Sequence, residues 1–358
     1  MLNPSLQVPL EKSSVTFTVK SYLMQDFARQ ILPEFKGLSA CLRAQVPCAD
    51  VSIHQSIESD NPSHSYRGLC RCGSTWVCKP CASKISLFRS RELEHGISHF
   101  SGIAEMVTFT VPHYVDTDLV GLRSGMVAAL RHFFNSRSIK SILKSVGYVG
   151  RIRVFEVTYT ENGFHPHFHV AFFLKKSLAP LKLELFEQWR ESCLISGLNK
   201  PLVSAFFISD ADMVRDYFAR YGAKWGLQDE MVRGHLKVGK NSKSISPFSM
   251  LERAMSDDKY IRLFRIYALA FKGSRQLVYS RGLKSVLGID DISDESIVQN
   301  SGLTVCRFMV SPITWRLVLR HRLRAELLDM CNSSDDETVI EFLSDITRGR
   351  NFPIADYL

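Results

Sequence analysis

At 358 residues the chain exceeds the length at which single cores usually stop growing, and its 45% hydrophobic content is that of a globular protein with two or three domains. Lys plus Arg outnumber Asp plus Glu by 45 to 36, a net +9 that suits a polyanionic partner and also fits many solvated surfaces. No apolar run approaches the roughly 20 residues of a membrane span, and Met1 to Lys20 lacks the basic-then-apolar pattern of a secretory signal, so a cytoplasmic protein with no membrane partner is expected.

In that reducing compartment clustered cysteines read first as metal ligands and scattered ones as core residues. After a polar loop from His54 to Gly68, Cys70, Cys72, Cys78 and Cys81 form C-x-C-x5-C-x2-C, whose C-x2-C half has the spacing of a zinc knuckle. This predicts a structural Zn²⁺ site in which Cys41 or Cys48 can replace one of the close pair Cys70 and Cys72. Cys193, Cys306 and Cys331 have no partner at ligand spacing and read as core.

A helix is predicted from Ala82 to His99, a strand from Glu105 to Val111 and a helical stretch from Leu122 to Val146. Arg151–Thr160 and His167–Leu174 read as two strands joined by a turn at Asn162-Gly163. In His165-Pro166-His167-Phe168-His169 the strand period puts His167 and His169 on one face and Phe168 on the other. With that turn, Glu161 pairs with Phe164 and Glu156 lies opposite His169, which makes Glu156 the third ligand. Pro166 then falls where the ladder needs an N–H, so the register is open to a slip. Imidazole plus carboxylate with open positions suits Mg²⁺ or Mn²⁺ for phosphate chemistry, and imidazoles alone also accept Zn²⁺.

A further helix begins near Ser209, with Asp212 completing a capping-box pattern. On it Tyr217, Tyr221 and Lys224 share a face by spacings of four and three. Alone, such a stripe reads as packing; beside a metal it becomes a source of nucleophiles, with Lys224 offsetting phosphate charge. Arg215, Arg220, Arg233 and Lys237 are candidate contacts to a DNA backbone. The acidic stretch from Gly288 to Ser301 marks a boundary, and Pro312 followed by Leu319, Leu323 and Leu327 predicts a small helical module. The expected organisation is a zinc-bearing region over 1–99, a metal- and tyrosine-bearing α+β domain over 100–287 with a central antiparallel sheet and helices, and a linker with a helical module over 288–358.

These segments, in this order, resemble the rolling-circle replication initiators of small bacterial plasmids, the plasmid Rep proteins built on a His-hydrophobe-His endonuclease domain. Gly68 through Cys81 to Ile85 is similar to their cysteine motif, with Lys79 where proline is usual. Met106 to Val111 resembles the first motif, Gly163 to His169 the metal motif, and Arg220-Tyr221-Gly222-Ala223-Lys224 the nucleophile motif; Ser246-Pro247-Phe248 and the run from Lys272 to Lys284 resemble segments beyond the catalytic core. The resemblance covers roughly Gly68 to Gly288 and implies that Tyr221 attacks one strand of single-stranded or cruciform origin DNA. A 5′-phosphotyrosyl protein and a free 3′ hydroxyl result, for use with a host helicase and polymerase. Tyr217 stands where some relatives have a second tyrosine and others a glutamate. A transposase of the same endonuclease class is the near alternative, and a non-catalytic zinc-bearing DNA-binding regulator the distant one.

Overall fold

The computed structural model describes residues 17–57, 63–210, 212–214, 216–218, 244–300 and 302–348. Among the described residues it is a mixed α+β protein with two antiparallel sheets, and the chain divides into two compact units. One combines residues 1–85, 251–262 and 292–358, and the other 86–250 and 263–291.

In the first unit β1 (Val51–Ser56) is central, flanked by β2 (His64–Arg67) and, from far along the chain, β8 (Thr304–Val310). The C-terminal segment, read from sequence as a helical module, therefore also supplies a strand. Its helices follow at Pro312–Arg320, Arg324–Ser333 and Asp336–Arg348. Ser311 caps the first through Thr314 N, with Pro312 in the opening turn where its missing N–H costs nothing. Arg322, at φ 60°, lies between the first two of these helices, so Leu319 and Leu327 of the predicted helical module fall on separate helices. Arg324 is 1% exposed, and its guanidinium donates to Asp26 Oδ1 (2.7 Å), Gln25 Oε1 (3.1 Å) and Leu42 O (2.8 Å). A buried cation needs such a complete set of acceptors, because each one missing leaves a charge without its lost hydration.

The second unit is built on the sheet β6-β3-β5-β4-β7. Its strands are β3 (Ile103–Phe109), β4 (Gly150–Thr160), β5 (Gly163–Leu174), β6 (Phe207–Ser209) and β7 (Leu277–Tyr279). One face carries an aromatic core: the Phe109 ring meets those of Trp189 (4.9 Å), Phe133 (5.2 Å) and Phe206 (5.5 Å) edge-on, contacts of about 0.5–1.5 kcal/mol each beyond their area. Trp189 Nε1 also donates to Thr110 O at 3.1 Å, which satisfies its one polar atom. The helical stretch predicted over 122–146 is two helices, Leu119–Asn135 and Arg137–Ser145. Ser136 is extended between them and its hydroxyl caps the second through Ile139 N, a local bond that competes with continuing the helix.

The β4–β5 hairpin turns at Glu161-Asn162, one residue before the predicted turn, and Thr160 pairs with Gly163. Gly163 is at φ 93°, and a Cβ there would lie 2.8 Å from Tyr114 O. The slip disposes of the proline conflict. Phe155 N and Tyr159 N bond outward to Gln276 O and Ile245 O, so Val157 between them also points away from β5. Pro166, paired with Val157, thus occupies a non-hydrogen-bonded position, and β3 pairs with β5 only from Phe168 onward.

Candidate metal centre

Cross-strand partners share a face, so the observed register sets out the site. Glu156 lies opposite His167, not His169 as the predicted turn required, and His169 lies between Val154 and Thr108. Glu156, His167 and His169 still share one face. Glu156 Oε2 is 3.4 Å from His167 Nε2 and 3.8 Å from His169 Nε2, and the three ligand atoms all lie within 4.8 Å of one another. Ligands at about 2.1 Å from one ion lie roughly 3–4 Å apart, and both carboxylate–imidazole separations fall in that range. Glu156 and His167 are buried and His169 is half-buried.

The imidazoles are also aimed. His167 Nδ1 is 3.2 Å from His165 O, an acceptor, so Nδ1 carries the proton and Nε2 presents its lone pair to the site. His169 Nδ1 lies 3.1 Å from Thr108 Oγ1. Such outer bonds fix tautomer and ring direction in metal sites. The donor set therefore fits a divalent cation. His165 stacks on His167 (5.0 Å, 29°), and its Nδ1 is 3.4 Å from His113 Nδ1. Burial, with His167 and His113 adding to it, lowers His165 to about 4, leaving it neutral at pH 7.

The helix that follows β6 brings a phenol to this group. Residues 212–214 and 216–218 are helical, and Asp210, one residue past the predicted Ser209, caps the start by accepting from Met213 N at 3.0 Å. Val214 and Phe218 are buried one turn apart, and Ser90 Oγ donates to Phe218 O at 2.9 Å. That anchoring leaves Tyr217 half-buried over the site, its ring 4.8 Å from that of His169 and its hydroxyl donating to Glu156 Oε1 at 2.5 Å. One carboxylate thus offers one oxygen to the imidazole side and the other to the phenol. Arg215, Arg220, Tyr221, Lys224, Arg233 and Lys237 lie outside the described residues.

The cysteine group is of another kind. The structure brings together Cys41, Cys72, Cys78 and Cys81. Cys41 Sγ is 3.7 Å from Cys78 Sγ and 3.5 Å from Cys81 Sγ, and Cys72 Sγ is 3.7 Å from Cys81 Sγ. A tetrahedron with Zn–S bonds of about 2.3 Å has edges of about 3.8 Å, so the thiols fit zinc closely. Cys70, expected among the ligands, lies outside the group. Its backbone pairs with Leu42 N and Ala44 O, and its Sγ sits 3.9 Å from Gln45 O. The same pairing brings Cys41 into the fourth place, and Cys72 N donates to its sulfur at 3.4 Å. Gln25 Nε2 donates to Cys78 Sγ at 3.3 Å, the same Gln25 whose oxygen holds Arg324. Hydrogen bonds from Cys41, Cys72 and Cys78 hold the Cys81 thiol well below its usual range, while hydrogen bonding to Cys41 pushes Cys72 up and burial pushes Cys78 well above it, as expected where buried thiols share protons.

The chain is 26% identical to a protein named "Protein rep" from Streptomyces lividans. The match covers 62% of this chain and 65% of that relative, somewhat less than two thirds of its length. No family model and no solved structure gives a significant match. No described helix is long and apolar enough to cross a membrane.

Two contributors carried no sequence signal. His113 reaches His165 from the loop after β3, and Thr108 reaches His169 from the neighbouring strand, where the sheet register pairs them.

Proposed function

We propose that this chain is a replication initiator that nicks one strand of origin DNA through a tyrosine and rejoins it. The observation that carries this reading is the convergence of Glu156, His167 and His169 with the hydroxyl of Tyr217 on one sheet face. The similarity to "Protein rep" favours an initiator over a transposase of the same chemistry. The endonuclease fold of the plasmid Rep proteins is part of the same proposal.

Glu156, His167 and His169 would hold Mg²⁺ or Mn²⁺, which would supply Lewis-acid polarisation of the scissile phosphate. The contacts of His167 with His165 O and of His169 with Thr108 keep both imidazoles aimed. Tyr221, four residues beyond Tyr217 in the sequence, is the proposed attacking residue, and Lys224 is proposed to offset charge on the phosphate. The Tyr221 phenol gives its proton to solvent as its oxygen bonds to phosphorus and the P–O3′ bond breaks. The 3′ oxygen leaves with the electron pair and takes up a proton to become the 3′ hydroxyl, while phosphorus stays on the tyrosine as a 5′-phosphotyrosyl linkage. Because the phosphodiester is stored and not hydrolysed, attack by a 3′ hydroxyl restores the strand. Glu156 Oε1, which accepts from Tyr217, is placed to take the proton of that second phenol when a regenerated origin is cut. Arg215, Arg220, Arg233 and Lys237 are proposed to follow the DNA backbone, with a host helicase and polymerase as later partners.

The test is conversion of a supercoiled plasmid carrying the chain's own gene and flanking DNA to open circles in Mn²⁺, with trapping of the adduct. We expect Tyr221→Phe to abolish the adduct and Tyr217→Phe to keep the first cut while failing to resolve a regenerated origin. Peptide mapping that places the label on Tyr217 alone would reverse the two roles. A wild-type protein that leaves the plasmid supercoiled in both metals would remove the function.

A further inference from the structure

The sheet face that carries the metal ligands also carries an exposed aromatic ring. Phe207 on β6 pairs with Thr108, and Thr108 pairs with His169, so the three side chains stand in one row on one face. The alternation within β6 agrees: Phe206, the preceding residue, packs into the aromatic core with Phe109 and Phe186 on the opposite face. Two strand spacings put Phe207 about 10 Å from His169. Phe207 is 49% exposed although its neighbours Phe206 and Ser209 are 2% and 3% exposed. A phenylalanine so placed leaves apolar area in water that a flat apolar partner would cover.

From this placement we propose that Phe207 is a stacking platform for an unpaired base of the DNA strand held at the metal centre, adjacent to the nucleotide being cut. The proposal rests on the nicking function above and adds to it a residue that positions the strand. A ring that meets a base face-on needs that base out of a duplex, because paired bases bury their faces against each other. The occupant is therefore single-stranded DNA. The net charge of +9 accounts for attraction to a phosphate backbone, but a charge cannot distinguish paired from unpaired bases; the Phe207 ring can. Stacking is also tolerant of base identity, so the residue fixes the strand's position beside the metal without reading its sequence.

The test uses the full chain without added Mg²⁺ or Mn²⁺ and a fluorescein-labelled dT16 probe, read by anisotropy, so that binding is measured apart from cleavage. Phe207→Leu should weaken dT16 binding about tenfold, in line with the loss of one stacked base, while the salt dependence keeps its slope because phosphate contacts remain. Phe207→Trp should restore binding, and a duplex of the same length should bind wild type and Phe207→Leu alike. Equal dT16 affinity of wild type and Phe207→Leu would overturn the proposal. So would a lowered Tm or lost self-association in Phe207→Leu with unchanged DNA affinity, since the ring would then be covered by this chain or by a second copy. Absence of plasmid nicking by wild type fails the function and is read separately.

Discussion

The two ligand clusters of this chain differ in the ways that separate a structural ion from a working one. Cys41, Cys72, Cys78 and Cys81 offer four thiols at tetrahedral separations, three of them fully buried. Four ligands fill the shell, which leaves no position for a substrate. Glu156, His167 and His169 offer three ligands of mixed chemistry on one sheet face, with a phenol already bonded to the carboxylate. Among the described residues three ligands meet there, fewer than a full shell, and the carboxylate oxygen among them suits the ions that handle phosphates. The support differs too: the thiol group receives N–H donors from Gln25 and the Cys72 backbone, whereas the imidazoles are oriented by a carbonyl and a hydroxyl.

The hardest test of that contrast is removal of one open-site ligand. His167→Ala should lower Mn²⁺-dependent nicking by more than ~100-fold, because changing even the outer partners of metal ligands costs about 10–100-fold, while the zinc content stays at about one per chain by elemental analysis. Wild-type nicking by a folded His167→Ala protein would break the assignment. A smaller effect is expected from Thr108→Val, which keeps the shape and removes the oxygen beside His169 Nδ1. Mn²⁺ affinity, followed calorimetrically, should fall about 10–100-fold with little change in Tm; unchanged affinity would mean that the Thr108 bond orients nothing. The finest distinction lies between two cysteines. Cys41→Ser should lose zinc and lower Tm, since bound metal contributes folding free energy, whereas Cys70→Ser should keep both. Zinc retained in Cys41→Ser and lost in Cys70→Ser would restore the spacing-based ligand set.

What the sequence revealed of these two sites follows from the range of the interactions involved. Parity along a strand is local, so His167 and His169 were placed on one face from their spacing alone. Glu156 joined them although the turn was misplaced by one residue. Moving the turn shifts the pairing sum by two, which changes each opposite number but keeps every side chain on its face. The C-x2-C pair was equally local. Cys41 was not, because it enters through backbone pairing with the segment around Cys70, and spacing left it level with Cys48. Thr108 and Phe207 depend on strand neighbours distant in sequence, and only the register joins them to β5, while His113 comes to His165 from the loop after β3. The strand in the C-terminal segment was missed for the same reason. Its pattern was overshadowed by the helices after Pro312, and its partner β1 lies some 250 residues earlier. The expected nucleophile Tyr221 stays a proposal, while Tyr217, whose role was left open, proves to touch the carboxylate.

That distant pairing bears on how the chain folds as it is made. β1, β2 and the four zinc thiols leave the ribosome early, yet β1 has one edge unpaired until residues 304–310 appear, and Asp26 and Gln25 wait for Arg324. Most of the second unit is synthesised in between, and its central β4–β5 hairpin needs only neighbours in sequence. The second unit can therefore fold first, and a cation bound by the four thiols would hold the early residues together until the last strand arrives. A nascent chain stalled before β8 would expose the edge of β1, a ready template for pairing with another chain.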